Sequence, residues 1–238
     1  MCAKYLLIII AIIGNTASEV PSYLQICGQK NPNLDDCVIK SIENLNKKLI
    51  EGIPEIDILP IEPFLLDNIT IIDMPNFKIV AMNMKLYNLS NFHIEYLHLD
   101  LEKMELDINL HFDKNEMNID YDVTINLFVP LQKKGPLTLK GENIKSKAKL
   151  FLEKIERDGK QYLYFKSINL NLSIENLSFH FNSDDFNILK EMINEFDDKV
   201  LLKIFTSSLE KSTSKNFLEL CNNFCKHFTF DELLPDRE

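Results

Sequence analysis

Between Asn68 and Phe181, apolar side chains recur at every second residue, and this period constrains the fold more than any other feature of the chain. Met117, Ile119, Tyr121, Val123, Ile125, Leu127 and Val129 form the strictest run, ended by Pro130. Met104, Leu106, Ile108, Leu110 and Phe112 alternate just before it, and Asp113-Lys114-Asn115 predicts a turn between the two. Lys134-Gly135-Pro136 predicts another turn, and Glu156 to Lys160 a hairpin joining Ala148–Ile155 to Tyr162–Phe165. Shorter runs lie at Ile69 and Ile71, Ile79 to Leu86, Phe92 to Tyr96, Leu97 to Leu101 and Ile168 to Ile174, with a slip near Asn176 before Leu177, Phe179 and Phe181. Strict alternation means an antiparallel sheet with one buried face and one wet face. A one-residue slip would turn every side chain over, so each change of parity marks a bulge or a turn.

The period then changes. From Ser183 to about Thr213, Phe186, Leu189, Met192, Ile193, Phe196, Val200, Ile204, Phe205 and Leu209 follow three- and four-residue steps, the stripe of an amphipathic helix. Acids crowd its early turns and lysines its later ones, which complements the helix dipole. Counted from Asp185 to Thr213 at ~1.5 Å per residue, such a helix reaches about 43 Å, and Met117 to Val129 extended at ~3.3 Å per residue reaches about the same. Near the N-terminus, Asn33 offers an N-cap for a second stripe of Leu34, Cys37, Val38, Ile42, Leu45 and Leu49, stopped by Gly52 and Pro54. Pro60 and Pro63 make the next stretch an extended connection. The expected architecture is α+β: a long curved antiparallel β-sheet wrapped around a long C-terminal α-helix, with a short N-terminal helix. No Gly-, Pro- or Ser-rich linker divides it, so residues 19–238 read as a single domain.

Residues 1–18 have the layout of a signal peptide: Lys4, a short apolar block from Tyr5 to Ile13, then Gly14 and the small residues Thr16, Ala17 and Ser18. The block is too short to span a bilayer and no longer one follows, so stable membrane insertion is not expected. Secretion is. Four sequons agree with it, at Asn68, Asn88, Asn171 and Asn176, all placed on polar faces or strand ends. Net charge is −10, which argues against nucleic acid as a partner. Cys2 would leave with the leader, and Cys27, Cys37, Cys221 and Cys225 remain. An even count in an oxidising compartment favours disulfides. Cys27 with Cys37 would close a short loop. Cys221 and Cys225 sit one helical turn apart and pair only if that turn is loosened; free thiols, a catalytic thiol and a metal site are the other readings. A metal site needs about four ligands, and only His227 lies near, so no metal is expected.

Little points to catalysis. No nucleophile elbow, zinc-protease helix, phosphate loop or dinucleotide fingerprint is present, and His93, His98, His111 and His180 fall on polar strand positions. No cofactor is implied. What stands out is apolar: 16 Phe and 7 Met without Trp. These residues either fill a solid core or, where a sheet curls around one helix, line a cavity for a hydrophobic ligand.

Cys27, Asn33-Leu34-Asp35-Asp36-Cys37, Gly52-Ile53-Pro54, Pro60, Pro63 and Phe64 together resemble the N-terminal signature of the insect takeout and haemolymph juvenile-hormone-binding protein family. Tyr121-Asp122, Pro130 and Gly135-Pro136 resemble its middle, and Phe228-Thr229-Phe230-Asp231-Glu232-Leu233-Leu234-Pro235 its close. The likeness runs from about Ile26 to Leu234. It implies a secreted carrier of a small hydrophobic ligand, such as a juvenile hormone-like terpenoid or long-chain lipid, held in an internal tunnel. It also implies an N-terminal disulfide, matched by Cys27 and Cys37. The basic turn Lys133-Lys134-Gly135 departs from the family pattern. No cysteine lies between Cys37 and Cys221 to make the second disulfide expected of true hormone carriers, which points to the takeout-like branch. By face, Met192, Phe196 and Val200 on the helix and Ile125, Leu127 and Phe179 on strands are the expected tunnel wall. The alternative is a secreted glycoprotein with a collapsed cavity, acting through a protein partner; no receptor can be named from sequence.

Overall fold

The computed structural model describes residues 20–126, 130–181 and 198–238. Helix α1 (Leu34–Glu51) leads through a 3-10 turn at Pro54–Ile56 to seven strands. These are β1 (Phe64–Leu66), β2 (Ile69–Met74), β3 (Phe77–Tyr87), β4 (Phe92–Asp100), β5 (Glu105–Asn126), β6 (Pro130–Arg157) and β7 (Lys160–Phe181), followed by α2 (Asp198–Cys225) and α3 (Phe230–Leu233). All pairings are antiparallel, in the order β1-β3-β5-β6-β7. On one edge of β5, β4 pairs with its first half and β3 with its second.

Asp113-Lys114-Asn115 and Lys134-Gly135-Pro136 do not turn the chain. Both lie inside the long strands β5 and β6, which run beside each other in one register from Glu105↔Phe151 to Asn126↔Pro130. The change of parity is a change of face without a reversal. Phe112, Ile144 and Ile174 face inward on one side of a line across the sheet; Asn115, Gly141 and Leu177 face inward on the other. Asn143, with φ 52°, sits on that line. His111 contacts its side chain at 2.9 Å and Glu175 accepts from it, so polar residues on three strands stitch the outer face there. Pro136 lies near the start of β6, opposite Asp120 of β5. The expected hairpin is present: Asp158 and Gly159, with φ 51° and 73°, make the tight turn that suits strand twist.

Across the outer face, lysines meet carboxylates on neighbouring strands, as in Lys114–Glu142 at 3.0 Å and Lys134–Asp122 at 2.7 Å. Lys134 and Gln132 hold the Asp122 carboxyl below the usual range. These pairs keep the wet face charged while the inner face packs.

Helix α2 fills the gap between the two edges of the curved sheet. On the β1 side, Asn216 Nδ2 donates to the Leu65 carbonyl at 2.8 Å and Lys215 pairs with Asp67 at 2.6 Å. On the β7 side, Glu210 Oε1 accepts from the Leu172 N–H at 2.7 Å. Asn222 does more: its Oδ1 accepts from the Phe165 N–H at 2.8 Å and its Nδ2 donates to the Phe165 carbonyl at 2.9 Å. One side chain thus replaces a strand neighbour on an open edge. Asn222→Ala should cost about 2 kcal/mol, because both backbone groups lose their partner. Urea unfolding with an unchanged slope and a lowered midpoint is the expected readout; an unmoved midpoint would refute it.

Cys27 and Cys37 are disulfide-bonded and tie the N-terminal segment to α1. The C-terminal tail is held to the same segment by Gln29 N–H to Pro235 and Lys30 N–H to Arg237. Thr229 and Glu232 form a capping box on α3, which places Phe230 among Cys27, Cys37, Leu150, Leu152 and Leu234. Asp35 docks α1 on β4, accepting from the Leu99 N–H at 2.9 Å and contacting His98 Nδ1 at 2.9 Å. That hydrogen bond, helped by the carboxylate charge, raises the His98 pKa above its ordinary 6.5. A raised folded-state pKa stabilises below the unfolded value and loses that contribution as pH rises through the folded value. NMR titration should place His98 above 6.5 in the native chain and back near it in Asp35→Asn; identical titrations would contradict the contact.

Candidate functional site

Between α2, α1 and the inner face of the sheet lies a cavity of about 460 Å³. Its sheet wall comes mainly from inward positions of β4 to β7, represented by Leu99, Leu110, Leu150 and Leu170, with Phe64 of β1 and Leu86 of β3. Phe205, Leu209, Thr213 and Phe217 enter it from α2 at four-residue steps, and Leu220, Cys221, Phe224 and Cys225 continue that face. Val38, Leu45 and Leu49 of α1 cover another side. The volume lies within the range of small-molecule sites. No described residue on the wall is Asp, Glu, Lys, Arg or His.

The wall carries a few neutral polar groups. Ser146 is buried on β6. Asn115 Oδ1 and Thr213 Oγ1 are buried without a hydrogen-bond partner, a state that costs about 1–3 kcal/mol per group unless something fills it. Cys221 and Cys225 are free thiols on the wall, not a disulfide, since α2 keeps its helical turn through both. Burial pushes the Cys225 thiol up to about 12. The Cys221 thiol is raised well above the usual range by burial and then by Cys225. Both are therefore neutral and weak nucleophiles. Among the described residues no group of three or more His, Cys, Asp and Glu could hold a metal, and no helix is long and apolar enough to cross a membrane.

The residues expected on the wall fall differently. Ile125 is buried with Phe77, Tyr121 and Val123 in the packed core and does not line the cavity. Val200 and Phe179 are 50% and 51% exposed and do not line it either. Leu127, Met192 and Phe196 lie outside the described residues, as does the expected leader at 1–18. Of the sequon asparagines, Asn68, Asn171 and Asn176 are exposed and Asn88 is half-buried. The helix was expected to reach only to about Thr213; Ser212-Thr213-Ser214 interrupt its apolar stripe there. It runs on to Cys225, and the interruption turns Thr213 toward the cavity. A four-residue spacing of Phe205, Leu209, Phe217 and Cys221 was the signal available for that.

An open curved antiparallel sheet, closed along its edges by one long helix over a mainly apolar hollow, defines the class of structure. The chain belongs to the haemolymph juvenile hormone binding protein family, whose model matches residues 6–235. It is similar to the circadian clock-controlled protein daywake of Drosophila yakuba, 24% identical over 230 residues, covering 89% of this chain and 87% of that one. The crystal structure of Epiphyas postvittana Takeout 1 superposes with a TM-score of 0.66 at 15% identity, covering 89% of this chain and 99% of that one, and shows the same fold.

Proposed function

We propose that this protein is a secreted carrier that takes up a small hydrophobic molecule, a juvenile hormone-like terpenoid or a long-chain lipid, in a tunnel between α2 and the sheet. It performs no catalytic step. One observation carries the reading: the cavity of about 460 Å³ has a mainly apolar wall, with no formally charged side chain among its described residues. An apolar molecule entering it leaves water at about 25 cal/mol per Å² of buried surface, and a large preformed hollow spares the cost of opening one. A collapsed core acting only through a protein partner is disfavoured by the same volume. Secretion and glycans on Asn68, Asn88, Asn171 and Asn176 belong to this proposal, supported by the Cys27–Cys37 disulfide and by the exposure of three of the four asparagines.

Titration of solvent-extracted protein with an apolar fluorophore tests it. Saturable one-to-one binding with little dependence on salt is expected, because no ion pair contributes. Absence of saturable binding would overturn it.

A further inference from the structure

Asn115 is the first inward-facing residue of β5 after the line where the sheet changes parity, and it lines the cavity at 8% exposure. Its cross-strand partner on β6 is Gly141, so no side chain covers the amide from that side. Gly141 itself belongs to the wall, and a Cβ there would meet Ile144 at 3.0 Å. The amide's orientation follows from its other neighbour. Asn115 Nδ2 lies 3.4 Å from the Tyr87 carbonyl, which only accepts, so nitrogen faces it and oxygen is left over. That oxygen is buried and unpartnered. It is an acceptor in an apolar wall, and what satisfies it must donate. Thr213 Oγ1, on the helical wall, is likewise without a partner.

We propose that the cavity takes an uncharged, elongated apolar molecule bearing a hydroxyl, and that Asn115 Oδ1 accepts the hydrogen bond from that hydroxyl. The inference rests on the cavity being a ligand site, as proposed above. A carboxylate is a poor occupant on two counts. No described cation on the wall would neutralise it, and its oxygens would face another acceptor. A hydrocarbon or an ether fits the apolar wall but leaves Asn115 unsatisfied.

Three ligands of one chain length separate these cases: palmityl alcohol, its methyl ether and palmitate, each competing with an apolar fluorophore at mildly alkaline pH. The alcohol should bind about tenfold tighter than the ether, and palmitate weakest of the three. Asn115→Leu should bring the alcohol-to-ether ratio to about one without weakening the ether. The Asn115 side-chain amide resonances should shift when the alcohol binds and stay put with the ether, a readout that needs no variant. Equal binding of alcohol and ether by the native chain would mean that water satisfies Asn115, and would overturn this inference while leaving the carrier reading intact. A ratio retained in Asn115→Leu, tight binding of palmitate, or unmoved amide resonances would also overturn it. If the fluorophore binds saturably and none of the three displaces it, this inference falls while the carrier reading stands; if the fluorophore itself does not bind, the carrier reading falls and this inference with it.

Discussion

Phe230→Ala is expected to destabilise the protein by about 3–5 kcal/mol, the cost of emptying a large aromatic site in a packed core. Phe230 is 2% exposed, and Lys154 Nζ stands 3.7 Å from its ring centroid, so the substitution removes packing and a cation–π contact together. The position matters beyond its area. Phe230 sits where the disulfide-tied N-terminal segment, the ends of β5 and β6 and the C-terminal tail converge. Losing it loosens several segments at once in a fold with a net stability of only about 5–15 kcal/mol. Chemical denaturation measures the effect. A loss below about 1 kcal/mol would mean that this end of the molecule is held by the disulfide and backbone contacts instead.

Ala148→Phe should do the reverse, sparing stability and removing function. Ala148 lies on β6 between Ile108 of β5 and Leu170 of β7, and all three line the cavity. Ala148 also packs against the cluster around Leu150 and Phe230, but a benzyl group directed into the cavity should largely avoid the usual overpacking cost of about 1–3 kcal/mol. It occupies volume the ligand needs. Affinity for an apolar fluorophore should fall by at least about tenfold, or ~1.4 kcal/mol, with a thermal midpoint near that of the native chain. Unchanged affinity in a folded Ala148→Phe protein would place the ligand elsewhere.

The two substitutions separate what was legible in the sequence from what was not. Alternation announced the strands, and the change to a helical stripe after Phe181 announced the helix that the sheet curls around; both follow from local periodicity. The strand reach was underestimated, because β5 continues unbroken from Glu105 to Asn126. The ends of elements were less legible where polar residues serve tertiary structure. Asp113-Lys114-Asn115 has the composition of a turn, yet its first two residues face solvent beside Glu142 and Asn143 while the third faces the cavity. Ser212-Thr213-Ser214 has the look of a helix end, yet α2 continues because its stripe resumes at Phe217. In both cases the polar residue that broke the pattern, Asn115 or Thr213, lines the cavity.

The wall itself was the least legible part. Periodicity says which residues face inward and not whether the inward space is filled. Ile125 and Leu110 are alike in sequence, each an apolar residue in an alternating strand. Ile125 lies where β2, β3 and β5 pack into a dense cluster, and Leu110, between β4 and β6 on β5, lines the cavity. The difference is set by strands and a helix far apart in the chain. Val200, read from its stripe as inward, is half exposed for the same reason: the rotation of α2 is fixed by Glu210, Asn216 and Asn222 gripping the sheet edges.

Native mass spectrometry of the protein purified from its source tests the central claim most directly. The account predicts a population carrying one small apolar molecule per chain, released by organic extraction and regained on adding the extract back. Protein that arrives empty, and stays empty when offered hydrophobic extract, would contradict it.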